Sequence, residues 1–151
     1  MSTKVFHTAV LLLRIALAAA FASAVADRFG IWGQPGANGV SWGDLSHFNA
    51  YVAKLNWFLP SAIIPALSWT TTALESLFAL ALLVGWQIRW ISLASALLLS
   101  SFALSMAMAL GLKAPLDYSV FTAASAAFLL FSVTSPTMNN KPIKVGARSS
   151  R

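Results

Sequence analysis

Four stretches of this chain are apolar over helix-spanning lengths, and short polar or aromatic-rich segments separate them. They cover about residues 5–26, 61–84, 91–112 and 117–133. An apolar run of about 20 residues is what a helix needs to cross a bilayer. The fourth run is shorter and would need local thinning or snorkelling at its ends. Small residues recur four apart within the runs: Ala16, Ala20 and Ala24; Ser92, Ala96 and Ser100; Ala103, Ala107 and Gly111; Ser119, Ala123 and Ala127. Such ridges let helix backbones approach closely in lipid. The pattern predicts an all-α fold, an integral membrane four-helix bundle forming one domain over residues 1–135. Residues 136–151 read as a basic cytoplasmic tail, too polar to pack and expected to be disordered.

The long connection, residues 27–60, has a different pattern. Gly30, Gly33, Pro35, Gly36, Asn38 and Gly39 make irregular chain, which cannot face lipid and belongs at the surface. Ser41 and Asp44 have the S-x-x-D spacing of a capping box. Beyond them Leu45, Phe48, Val52 and Leu55 recur at helical spacing, which predicts a short amphipathic helix over 44–55 in this first extramembrane loop. The density of Trp32, Trp42, Phe48, Tyr51 and Trp57 exceeds what a solvated linker needs and predicts an ordered cap over one end of the bundle.

Composition sharpens the class. Of the 151 residues 58% are hydrophobic and only 9% charged, against about 25% charged in a soluble domain. The net charge of +6 reads as a topology signal. Lys4, Arg89, Lys141, Lys144, Arg148 and Arg151 fall on one side, and Arg28, Lys54 and Lys113 on the other. The positive-inside rule then places both termini in the cytoplasm of a multi-pass protein. Ala22-Ser23-Ala24 imitates a signal-peptidase site, but Arg14 interrupts the apolar region and the run is long enough to span. No basic stripe is interleaved with exposed aromatics, so nucleic acid is not an expected partner, whereas membrane lipids are. The chain has no cysteine, which excludes CxxC thiol chemistry, iron–sulfur ligation and thiolate metal sites. His7 and His47 fall on opposite sides of the bilayer and cannot jointly hold a haem or a metal. No Ser-His-Asp, HExxH or phosphate-loop pattern is present, so no catalytic residue is nominated.

Two groups of residues remain as candidates. Glu75 lies near the middle of the second run, where a charge costs about 2.5–3.5 kcal/mol on insertion scales and calls for a partner. Arg14, inside the first run, is the deep cation. Each lies about eight residues, roughly 12 Å, from the inner end of its helix. A buried ion pair Arg14–Glu75 is therefore expected, with fixing helix register as its first role. At the outer helix ends Asp27, Arg28, Trp32, Trp42, Asp117 and Tyr118 form a candidate pocket suited to a quinone head group or an anionic small molecule. Asp117 before a helix and Arg28 after one also suit the helix dipoles.

Several segments resemble the DoxX family of small four-helix membrane proteins. They are the arginine-bearing Leu11-Leu-Leu-Arg-Ile-Ala-Leu17, the helix end Ala24-Val-Ala-Asp-Arg-Phe-Gly30, and Ala73-Leu-Glu-Ser76 leading to Leu82-Leu-Val-Gly85 and Arg89. The loop from Pro35-Gly36 to Val40-Ser-Trp-Gly43, and Ala114-Pro-Leu-Asp-Tyr-Ser-Val-Phe121, are similar to one subgroup. The resemblance covers about residues 8–134. The family name comes from a membrane subunit of a thiosulfate:quinone oxidoreductase. The resemblance implies a four-helix fold in the bacterial inner membrane and a role as a non-catalytic or quinone-associated subunit of a membrane redox system. The cofactor it points to is a quinone, with no haem, metal or iron–sulfur cluster; the partner it points to is a redox-enzyme subunit or a second copy of the chain. Two alternatives stand beside it. One is a small proton-coupled exporter using Glu75, which a matched arginine argues against. The other is a membrane scaffold.

Overall fold

A computed structural model describes residues 2–134 and is all-helical over them. The tail expected over 136–151 lies outside the described residues. Six helices follow in chain order: α1 (Thr3–Arg28), α2 (Leu45–Leu55), α3 (Ile64–Val84), α4 (Ile88–Leu110), α5 (Lys113–Asp117) and α6 (Val120–Val133). Thr3–Arg28, Ser61–Val84 and Ile88–Leu110 are each long and apolar enough to cross a membrane. These three helices suggest a membrane protein. α6, with 14 residues, is only about 21 Å long.

The fourth apolar run differs from its expectation of one helix over 117–133. Lys113–Asp117 forms a helix of its own, and Ser119, in the left-handed region at φ 55°, breaks the chain before α6. Asp117 therefore closes α5 rather than opening α6.

The long helices associate as two pairs, α1 with α3 and α4 with α6, and contacts of α3 with α4 and of α1 with α6 close the ring. Leu17, Phe21, Phe78, Leu82, Ala96 and Leu130 build the core, with Phe21 and Phe78 meeting edge to face at 5.9 Å. Ala96 and Ala103 of α4 and Ala124 and Ala127 of α6 are all buried, so small side chains let these two helices lie close. Leu80 of α3, Leu97, Leu104 and Met108 of α4 and Phe128 of α6 are exposed, an apolar exterior compatible with a membrane.

One end of the ring carries residues 29–60 and is called here the cap end; the other carries the α3–α4 connection and is called the turn end. Across the cap end α2 lies on α3 and α4. Phe48 and Val52 are buried there with Ile64, and Trp42 and Leu67 pack on them. The helix start is not the expected capping box. Asp44 is the N-cap and accepts from the backbone N–H of His47 at 2.7 Å, while the Ser41 N–H donates to Asp27 instead. The His47 backbone bond first, and its side chain second, hold the Asp44 carboxyl below the usual carboxylate range. The preceding loop is tightly folded. A Cβ on Gly43, which has φ 74°, would lie 2.4 Å from the Pro35 nitrogen. Part of the cap's aromatic surface stays outside, since Trp32, Trp57 and Phe58 are exposed.

At the turn end Gly85 ends α3 in the left-handed conformation, φ 85°. Arg14 reaches this helix end from α1. Its Nε and Nη2 donate to the Leu82 carbonyl at 3.1 and 2.8 Å, and Nη2 also to the Leu83 carbonyl at 3.3 Å. The last carbonyls of a helix lack intrahelical donors and carry its negative dipole end, so a guanidinium is favourable there. A Cβ at position 85 would sit 2.7 Å from Arg14 Nη2. Gly85→Ala combines a strained φ with that clash, and we expect it to lower stability by about 1–3 kcal/mol. Thermal unfolding in neutral detergent measures this, and an unchanged midpoint would count against the left-handed helix end at Gly85.

Candidate functional site

The charged residues buried in the bundle gather at its cap end. Arg28, the last residue of α1, turns its side chain inward. Its Nη2 lies 2.7 Å from Glu75 Oε2 on α3, with side chains only 2% and 3% exposed. The contact is a buried ion pair. Nη1 donates to the Thr72 hydroxyl at 3.0 Å, one helical turn from Glu75, and Thr72 in turn donates to the Ser68 carbonyl at 2.8 Å. Phe48 of α2 covers the guanidinium with its ring centroid 3.7 Å from Cζ, and Trp42 stands 5.3 Å away. Both are within the range of cation–π attraction, about 6 Å.

The expected partner of Glu75 is thereby corrected. Arg14 does not meet it; Arg28 does. Equal depths for Arg14 and Glu75 required the ends of α1 and α3 to be level, and they are not. Arg14 stands beside Leu82 and Gly85, in the last turn of α3. Hence α1 runs on past α3 by about eleven residues, roughly 16 Å, and Glu75 lies about two turns from Arg14.

Asp27, buried beside Arg28, holds the loop. Its Oδ2 accepts the backbone N–H groups of Ser41 and Trp42 at 3.1 and 2.9 Å, and its Oδ1 is buried without a partner. Trp42 is thus pinned over Arg28 by the residue next to it in sequence. Trp32 bends back along α1, its indole N–H donating to the Ser23 carbonyl at 3.1 Å.

A cleft of about 1290 Å³ opens at this end. Leu17, Ala20, Phe21 and Ala24 of α1 form one wall; Leu98, Phe102 and Met106 of α4 with Ala123 of α6 form the other; α2 covers it. Ala20 and Ala24, expected to serve close helix packing, instead leave this volume open. Five of the six residues nominated for an outer pocket line it: Asp27, Arg28, Trp32, Trp42 and Tyr118, together with Glu75. Asp117 does not belong to the lining. It is exposed and forms an ion pair with Lys113 within α5.

Sequence reasoning missed three polar residues at the mouth. Tyr51, Lys54 and His47 of α2 line the cleft opposite Tyr118. Burial first, and the neighbouring Tyr118 second, push the Tyr51 phenol above its usual range. Among the described residues neither phenol hydroxyl has a hydrogen-bond partner. The period of α2 carried the signal, since Tyr51 follows the Phe48 face by three positions. Thr72 was legible in the same way, three before Glu75 on one helix stripe.

His7 and His47 lie apart, and no cluster of metal-ligating side chains occurs among the described residues. Compared with known proteins, the chain matches no protein-family model, no curated protein and no solved structure.

The geometry yields a double-mutant test. Arg28→Leu or Glu75→Leu alone leaves a buried charge unmatched, at a cost of about 3–5 kcal/mol. The double change Arg28→Leu with Glu75→Leu is expected to cost less than the sum of the two, by at least about 1 kcal/mol. Arg14→Leu combined with Glu75→Leu is expected to be additive. Unfolding midpoints of the six proteins decide it; coupling of Glu75 to Arg14 rather than to Arg28 would refute this pairing.

Proposed function

We propose that this protein is an integral membrane four-helix bundle of the DoxX type that binds a quinone in its cap-end cleft. In this reading it acts as a non-catalytic partner of a membrane redox enzyme in the bacterial inner membrane, with both termini cytoplasmic. The observation that carries the reading is the cleft itself. Its walls are apolar helix faces around about 1290 Å³, and its lining includes phenol and ammonium donors for an acceptor oxygen. Ligand sites commonly combine an apolar lining with a few convergent polar groups. A quinone has that form, with an apolar tail, a flat ring for Trp42 or Tyr118 to stack on, and carbonyl oxygens that accept from Tyr51, Tyr118 or Lys54. The exporter reading needs Glu75 free to exchange a proton, and the Arg28 contact and Phe48 cover weigh against it.

Quenching of tryptophan fluorescence by a short-chain ubiquinone in nanodiscs tests this. Saturable quenching is expected for the full chain. Ala24→Phe, which fills the cleft, and the pair Tyr51→Phe with Tyr118→Phe should each weaken binding about tenfold, near 1.4 kcal/mol. Leu80→Phe, on the exposed face of α3, should leave it unchanged. Quenching that does not saturate, or that is the same in Ala24→Phe, would end the quinone reading.

A further inference from the structure

The two ends of the bundle differ in charge. Asp27, Asp44, Glu75 and Asp117 are the chain's four carboxylates. Asp27, Asp44 and Asp117 lie in or beside the cap-end segments, and Glu75 is paired with the cap-end Arg28. The turn end carries Lys4, Arg14 and Arg89 and no carboxylate. A guanidinium without a nearby acid normally finds another acceptor, and here the acceptors run out. Arg14 uses Nε and Nη2 on the carbonyls of α3, and among the described residues Nη1 has no acceptor. Arg89, just past the α3–α4 turn, has no hydrogen bond or ion pair among the described residues. Its Nε is buried and unpartnered. What holds Arg89 is aromatic: its Cζ is 5.2 Å from the Trp90 ring and 5.4 Å from that of Phe131 on α6. That contact fixes the side chain without using its donors.

We infer that the turn end binds the phosphodiester head group of an anionic phospholipid through Arg14 and Arg89. Guanidinium groups suit phosphate oxygens because their N–H groups form a planar fork. Trp86 and Trp90, each 58% exposed on either side of Arg89 in the sequence, are of the residue type that sits at head-group level in a bilayer. The same end explains selectivity. A zwitterionic lipid brings a choline or ethanolamine cation with its phosphate, and the turn end has no carboxylate to receive it. An anionic lipid such as phosphatidylglycerol brings the phosphate alone. The site is separate from the cleft, and the inference rests on the membrane reading but not on the quinone.

Native mass spectrometry and thermal unfolding of the full chain in neutral detergent test it, with phosphatidylglycerol, phosphatidylcholine and inorganic phosphate as probes. Phosphatidylglycerol is expected to stay bound and raise the unfolding midpoint, whereas the other two do neither. Arg89→Gln should weaken phosphatidylglycerol binding about tenfold. Because Arg14 also caps α3, its removal alone could act through stability. Arg14→Lys keeps the charge and should give an intermediate loss. Quinone quenching should be unchanged in Arg89→Gln, so loss of one reading does not carry the other with it. Equal retention of phosphatidylcholine, an equal shift with inorganic phosphate, or wild-type lipid binding by Arg89→Gln would each overturn the inference. Recovery of the full chain from cells in the soluble fraction would instead overturn the membrane reading beneath it.

Discussion

A carboxylate and a guanidinium buried at 2.7 Å set the terms for the whole cap end. Removing both from water is costly, and their attraction repays that cost only when the remaining polar atoms are served as well. The surroundings of Arg28 supply part of this. Thr72 accepts one N–H, and the Phe48 ring closes over the guanidinium. Phe48 reaches that place because α2 docks on α3 and α4 with Val52 and Ile64 buried beneath it. The docking of α2 depends in turn on where it starts, which Asp44 fixes. The loop that leads to it is tied to α1 by Asp27. The adjacent pair Asp27-Arg28 therefore acts in two directions, one residue drawing the loop down and the other reaching into the bundle.

The bundle pairs its helices differently at its two ends. At the turn end α1 and α3 are joined through Arg14 and Gly85, with no room for a Cβ between them. Toward the cap end Ala20 and Ala24 of α1 and Ala123 of α6 line an open cleft. Small residues thus do two opposite things in one molecule. On α4 and α6 they bring backbones together, and on α1 they leave a volume that the cap covers.

Much of this was legible in the sequence. The length of the apolar runs located the three long helices, and the helical recurrence of Leu45, Phe48, Val52 and Leu55 located α2. That Glu75 must have a cationic partner followed from burial cost; which arginine it takes did not. Counting residues from helix ends assumes level ends, and α1 overshoots α3, so the count misassigned Arg14. The sequence places Arg28 at a helix end, in the outer pocket, but its long side chain turns back into the bundle to reach Glu75. The S-x-x-D spacing identified the right neighbourhood and the wrong residue, because Ser41 is recruited by Asp27, distant in sequence. Asp117 was misplaced by a backbone break at Ser119, and serine at positive φ leaves no sequence signal.

If the cleft takes a ligand as proposed, the same ion pair bears on which kind of head group suits it. Arg28, Glu75 and Asp27 all contribute to its lining. An anionic ligand would have to draw Arg28 from Glu75 while facing Asp27. Leaving Glu75 buried and unmatched costs about 3–5 kcal/mol, whereas a hydrogen bond to a charged group returns about 1.5–3 kcal/mol. The exchange is unfavourable, and the exposed Lys54 at the rim adds only a screened charge. A cationic ligand meets Arg28 and Lys54 on entry and finds Glu75 already engaged. A neutral head group disturbs none of these contacts and can use the phenols of Tyr51 and Tyr118, whose hydroxyls have no hydrogen-bond partner among the described residues. Of the two ligand classes suggested by the residues of the outer pocket, the energetics therefore favour the neutral, quinone-like one over the anionic.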